Sequence, residues 1–270
     1  MPYLSVSGAT IYFDSKGSGP HLLLIHAGIA DSRMWDYEFH SLSQQFQVTR
    51  FDLPGFGQSS FTGGAFSYTM IINELLDHLK IKQTYIFAAS FGGRIALDFV
   101  TENPERCLCL ALESSAIDEW NFSEALQQYD EKEEQLLTAK SFDQVAELNY
   151  RTWILRDRRP EAIAPQIKER IREMQMTALT KPEPARPIKE MSPTQPLSAR
   201  LDQLKLPVLI MIGDLDVADF QDISTFLYQK ISHAKKVGIP NVAHLANLEA
   251  PELVASLVID FFLSEAVPNH

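Results

Sequence analysis

The sequence predicts an α/β fold: a mostly parallel, twisted sheet of about 8 strands, helices on both faces, and a helical insertion. Three observations carry this. Short, predominantly apolar runs recur at 21–26, 84–89, 107–112 and 207–212, with no polar face to offer to water. Stretches of helical spacing separate most of them, as right-handed crossovers between parallel strands require. From about 118 to 195 the strand rhythm stops and only helix-like stretches appear.

Taken in order, two short strands at 3–6 and 10–14 flank Ser7-Gly8 and close at Lys16-Gly17-Ser18-Gly19-Pro20. The first apolar run follows. Asp31-Ser32 reads as the cap of a helix that turns Met34, Trp35, Phe39 and Leu42 towards a core. A strand at 47–53 meets the turn Pro54-Gly55-Phe56-Gly57, and then come a helix at 67–80 and the strand 84–89. The next helix starts just past Ser90 and ends near 103, ahead of the strand 107–112.

In the insertion, helices are expected at 123–139, 142–157 and 160–178. The first carries Asp130-Glu131-Lys132-Glu133-Glu134, which reads as a solvated face. Prolines at 182, 184, 187, 193 and 196 make 181–196 a poor region for regular structure. The strand 207–212, a helix at 220–232, a strand at 235–239 and a last helix at 251–264 complete the pattern. The expected division is a core of 1–117 and 198–270 around a helical segment of 118–197.

Bulk properties narrow the function. With 270 residues and 45% apolar composition, the chain can bury one large core. A formal net charge of −11 repels phosphate backbones and offers nothing to an anionic bilayer, so neither nucleic acid nor membrane is an expected partner. Met1-Pro2-Tyr3-Leu4 lacks a basic start followed by an apolar run, and a cytoplasmic location is expected. Cys107 and Cys109 sit two apart in a strand and share one face, as small core residues would. No metal or cofactor is expected, and the chain is read as a monomer or homodimer.

The chemistry is carried by Ala88-Ala89-Ser90-Phe91-Gly92-Gly93. An apolar strand runs into a serine flanked two residues away by small side chains, and a helix follows with Ile95, Ala96, Leu97, Phe99 and Val100. That is the pattern of a nucleophile held on a sharp strand-to-helix turn. A serine hydroxyl needs a base and a group that orients it. Of seven histidines, His244 lies in a loop after the last strand, where doubly wound sheets build their sites. For the acid, Asp216 in Gly213-Asp214-Leu215-Asp216 is favoured, with Glu113 and Asp214 open as alternatives and Asp219 expected to cap the following helix. The oxyanion of acyl transfer needs N–H donors. Phe91 is one, and Gly28 or its neighbour Ile29 the other, with His26 bracing that loop.

Together these segments resemble the α/β-hydrolase superfamily over almost the whole chain. Leu23–Gly28, Asp52–Ser59, Ala88–Gly93, Ile212–Asp216, Ala243-His244 and Asn247–Pro251 occur in family order. The likeness is to small capped members: esterases, enol-lactonases, carbon–carbon hydrolases and cofactor-free haloperoxidase-like proteins. The chain departs from the family in Ala88 for the usual glycine, in His26-Ala27 for the commoner His-Gly, and in Leu245 where meta-cleavage carbon–carbon hydrolases carry tryptophan.

The resemblance implies a serine hydrolase cleaving a small-molecule carboxylic ester or lactone through a Ser90–His244–Asp216 acyl-enzyme mechanism. A carbon–carbon or enol-lactone hydrolase and a weakly catalytic ligand receptor are the alternatives. Trp120 and Trp153 of the insertion, with Ile29 and Leu245, are expected to line the substrate pocket, and Tyr129, Tyr150, Met174 and Met176 are further candidates. The acidic composition disfavours a highly anionic substrate unless a local arginine such as Arg94 or Arg151 reverses it.

Overall fold

The apolar runs become the centre of a single sheet, where both of their faces are covered. The computed structural model describes residues 2–118, 120–184 and 186–265. Its strands are β1 (Tyr3–Val6), β2 (Ala9–Lys16), β3 (His21–Ile25), β4 (Gln47–Phe51), β5 (Ser60–Phe61), β6 (Gly64–Phe66), β7 (Thr84–Ala89), β8 (Cys107–Glu113), β9 (Ile188–Glu190), β10 (Val208–Gly213) and β11 (Ala234–Ile239). The main sheet runs β1-β2-β4-β3-β7-β8-β10-β11, with β5 beside β2. Pairings from β4 through β11 are parallel, and those of β2 with β1, β4 and β5 are antiparallel.

Alternate residues of the central strands feed two cores. Leu22, Leu24, Tyr85, Phe87 and Met211 pack on one face with Trp35, Phe39 and Phe262. These come from the turn Ser32–Trp35, α1 (Asp36–Leu42) and α9 (Pro251–Glu265). Leu23, Ile25, Ile86, Ala88 and Ile210 pack on the other face. There they meet Ile72 of α2 (Tyr68–His78), Leu97 of α3 (Phe91–Glu102) and Leu227 of α7 (Ala218–Lys230). Each fully buried aliphatic side chain contributes about 1.5–3 kcal/mol, so this two-sided burial dominates the sheet's stability. Cys107 and Cys109 are buried free thiols, but the expectation that they share a face is corrected: a register irregularity at the start of β8 puts Cys109 in the first core and Cys107 in the second.

Between β8 and β10 the chain forms α4 (Glu124–Thr138), α5 (Phe142–Asn149) and α6 (Pro165–Leu179). The single helix expected at 142–157 is corrected: α5 ends at Asn149 and a π-helical turn, Tyr150–Leu155, takes over. Wider turns of this kind re-aim backbone groups. The proline-rich stretch also holds some regular structure, since β9 pairs with β6 in a short parallel ladder. A last short helix, α8 (Ala246–Glu249), precedes α9. No helix among the described residues is long and apolar enough to cross a membrane.

Candidate active site

Strand register brings the chemistry-bearing residues to one edge. Ala89, the residue before Ser90, is level with Glu113 on β8, and Glu113 is level with Met211 on β10. The loops after β7, β8, β10 and β11 therefore open at the same end of the sheet.

Ser90 occupies the turn between β7 and α3 with φ 52° and ψ −116°, a backbone region that L-residues avoid. The surroundings hold it there. Its N–H donates to Glu113 O at 2.8 Å, and its carbonyl accepts from Ala116 N at 3.1 Å. The small neighbours follow from the same crowding: a Cβ on Gly92 would stand 2.5 Å from the carbonyl oxygens of both Ile25 and His26. Ala88, in place of the usual glycine, is accommodated inside the core.

His244, from the loop after β11, places Nε2 2.8 Å from Ser90 Oγ. Its Nδ1 faces both carboxylate oxygens of Asp216, at 2.9 and 3.0 Å. A carboxylate only accepts, so the imidazole proton sits on Nδ1 and Nε2 is free to accept from the serine hydroxyl. Asp216 is fixed in turn by the Val217 N–H at 2.7 Å. His244 and Asp216 are both buried.

The competing carboxylates are occupied elsewhere. Asp214 Oδ1 accepts from Asn241 N at 2.7 Å. Glu113 lies under the histidine loop, accepting from Asn247 N at 2.9 Å, and burial pushes its carboxyl up to about 8. Asp219, expected as a helix cap, lies inside α7 and accepts from the backbone and hydroxyl of Ser123 at 2.7 and 2.6 Å. It ties the start of α4 to α7.

Phe91 is the first residue of α3, and a helix start leaves its N–H groups without intrahelical acceptors. Gly28 lies against it, since a Cβ there would stand 3.3 Å from Phe91 Cβ, and Ile29 lines the same cavity. Their loop is braced from within. His26 Nε2 accepts from Leu53 N at 2.9 Å, so Nδ1 carries the proton and donates to Ala27 O at 2.8 Å. Burial holds this imidazole below its ordinary pKa, in keeping with a neutral brace.

A cavity of about 480 Å³ opens over Ser90 and His244. Ile29, Trp153, Tyr129 and Met174 line it, joined by Phe122, Leu126, Asn149, Gln175 and Phe220. The indole of Trp153 and the ring of Phe220 pack on the His244 imidazole, with centroids 4.6 and 4.5 Å away. Two expected lining residues are corrected. Trp120 packs instead on Phe226, with ring centroids 5.9 Å apart, and does not line the cavity. Leu245 is fully buried in the core cluster that holds Trp35 and Phe262, which takes its side chain off the cavity wall. Tyr150 and Met176 also lie off this wall.

Sequence reasoning missed Phe220, Asn149 and Gln175. Asn149 lies one helical turn from Val145, and Gln175 one turn from Ile171, so each is a polar break in an apolar stripe. Among the described residues no cluster of three His, Cys, Asp or Glu side chains is placed to hold a metal ion.

Residues 20–251 match the alpha/beta hydrolase fold family. The pimeloyl-[acyl-carrier protein] methyl ester esterase of Nitrosomonas europaea is 26% identical over 268 residues, covering 92% of this chain and 98% of that protein. A solved hydrolase from Pseudomonas aeruginosa superposes with a TM-score of 0.79 at 25% identity, over 96% of this chain and 97% of its own. The enol-lactonase of Burkholderia xenovorans superposes with a TM-score of 0.77 at 21% identity, over 97% and 100%. The last likeness is one of fold.

Proposed function

The chain belongs to the alpha/beta hydrolase fold family, and we propose that it is a serine hydrolase cleaving a small-molecule carboxylic ester or lactone. The observation that carries this reading is the continuous line Ser90 Oγ, His244 Nε2, His244 Nδ1, Asp216, with contacts of 2.8 and 2.9 Å. The similarity to an esterase over nearly the whole chain supports the bond type.

In the proposed mechanism Ser90 Oγ attacks the ester carbonyl carbon while its proton passes to His244 Nε2. Asp216 holds the imidazole in the accepting tautomer and stabilises the imidazolium. The negative charge gathering on the carbonyl oxygen is met by the Phe91 N–H and by that of Gly28 or Ile29. Collapse breaks the bond to the alcohol, which leaves with the proton from Nε2. Water then attacks the acyl-enzyme, gives its proton to Nε2, and Ser90 departs with that proton as the acid is released. Trp153 and Phe220 exclude water from the imidazole while leaving the cavity side of Ser90 open.

Hydrolysis of p-nitrophenyl esters and lactones by wild type and Ser90→Ala tests the proposal. Loss of about 10⁴-fold or more in kcat is expected for Ser90→Ala, with an unchanged melting transition and a fluorophosphonate adduct on Ser90 in the wild type alone. Near wild-type turnover by Ser90→Ala would sink it.

A further inference from the structure

One wall of the cavity is a hydrogen-bonded chain with a fixed direction. Trp153 Nε1 can only donate, and it gives its proton to the Tyr129 hydroxyl at 2.9 Å. Tyr129 therefore turns its own proton to Asn149 Oδ1. The amide nitrogen of Asn149 then faces Glu133 Oε1 and Gln175 Oε1, each at 2.7 Å. Every donor from Trp153 to Asn149 is thus engaged inside the wall. Gln175 Nε2 has no partner among the described residues, but it is sealed from any water-sized space.

On this wall, away from Ser90 and the Phe91 and Gly28–Ile29 backbone, the groups left facing the cavity are acceptors and negative charge. Glu133 and Asp130, one turn apart on α4, both line it, and no lysine or arginine does so among the described residues. Neither carboxylate forms an ion pair among the described residues, and burial raises the Asp130 carboxyl with no cation beside it. Their field reaches the wall: the Tyr129 phenol is pushed up by burial first, then by Glu133 and Asp130. The two arginines that the sequence offered as local positive charge are engaged elsewhere. Arg94 is held by Asp118 and Glu190, and Arg151 by Glu147.

We infer that this cavity selects esters whose arm beneath the insertion helices carries no negative charge, and that Glu133 and Asp130 set the selection. The inference rests on the ester-hydrolase reading above. A carboxylate entering here gives up its hydration without meeting a cation, and it approaches two like charges, the half-buried Glu133 and the exposed Asp130. An ammonium group meets the opposite balance, with the Tyr129 and Trp153 rings adding to it.

The test compares p-nitrophenyl esters of octanoic acid, ω-aminooctanoic acid and suberic acid (the half-ester), which share one chain length with neutral, cationic and anionic ends. A second series carries the same three ends on the alcohol side. In at least one series the anionic ester is expected to fall about tenfold or more below the neutral one in kcat/KM, with the cationic ester at or above it. Salt should narrow the gap. The double variant Asp130→Asn/Glu133→Gln keeps an acceptor for Asn149. It should raise the anionic-to-neutral ratio and lower the cationic-to-neutral ratio, whereas a structural defect moves all three together.

Ratios that stay the same in wild type and double variant in both series would overturn the inference, as would an anionic ester that matches the neutral one. Failure of the underlying reading looks different: no Ser90-dependent hydrolysis of even the neutral ester. Melting shifts of Ser90→Ala with the corresponding methyl esters report the same order of binding without turnover, and equal shifts for all three would count against the inference.

Discussion

The indole of Trp153 lies 4.6 Å from the imidazole of His244, and Trp153 O accepts the His244 N–H at 3.1 Å. A residue of the insertion therefore holds the proposed base by both ring and backbone. Trp153→Ala should lower kcat by about tenfold, from loss of an aromatic contact that limits imidazole motion. Trp153→Phe keeps the ring contact and should recover most of the rate. Equal kcat in all three proteins would show that the contact has no part in turnover.

The identity of the acid is separable by mutation. Asp216→Asn places an amide nitrogen against His244 Nδ1 and favours the tautomer protonated on Nε2, which cannot accept from Ser90. A loss of about 10³–10⁴ in kcat is expected. Glu113→Gln, assayed in parallel, should retain turnover of wild-type order. The reverse pattern would move the acid to Glu113.

Ser90 at φ 52° stores backbone strain of about 1–3 kcal/mol. Glycine tolerates that conformation far better. Ser90→Gly should therefore melt at or above the wild-type temperature while losing ester hydrolysis. A clear fall in melting temperature would mean that the hydroxyl contributes more to stability than the strain removes.

Glu113 links stability to pH. Its carboxyl, pushed up to about 8 mainly by burial, ordinarily titrates at 4.5. Between those values the folded chain keeps a proton that the unfolded chain has released, so stability falls as pH rises through that window and the loss is complete above it. Glu38, also raised well above its ordinary value by burial, acts with the same sign. Melting temperature followed against pH should decline less steeply for Glu113→Gln than for wild type. Parallel curves would remove Glu113 from the explanation.

Arg94 joins three parts of the fold. Its guanidinium lies 4.7 Å from the Phe91 ring centroid and bonds Asp118 at 2.8 Å, at the start of the insertion, and Glu190 at 3.1 Å, near its end. Arg94→Leu leaves Asp98 with Arg200 as its ion-pair partner and frees both ends of the insertion. A loss of about 1–2 kcal/mol in urea unfolding is expected, because Arg94 is buried while the Asp118 and Glu190 side chains, 51% and 35% exposed, regain water when it is removed. A loss within about 0.5 kcal/mol, typical of a surface site, would show the network to be dispensable.

The sequence alone determined the parallel sheet, because predominantly apolar strands leave no solvent face. It also marked Ser90, because small neighbours and the strand-to-helix switch are local properties of a strained turn. Chain order and loop position singled out His244 and favoured Asp216, but Glu113 and Asp214 remained open. Only the tertiary structure decided how those carboxylates are used: Asp216 reaches the imidazole, Asn241 takes Asp214, and Glu113 lies beneath the loop. It also moved Trp120 and Leu245 off the cavity wall and brought in Phe220, Asn149 and Gln175. The reason is physical. A turn's sterics are set by adjacent residues, whereas a cavity wall depends on how separate helices pack, and helical spacing alone does not say which apolar face meets the core and which meets a ligand.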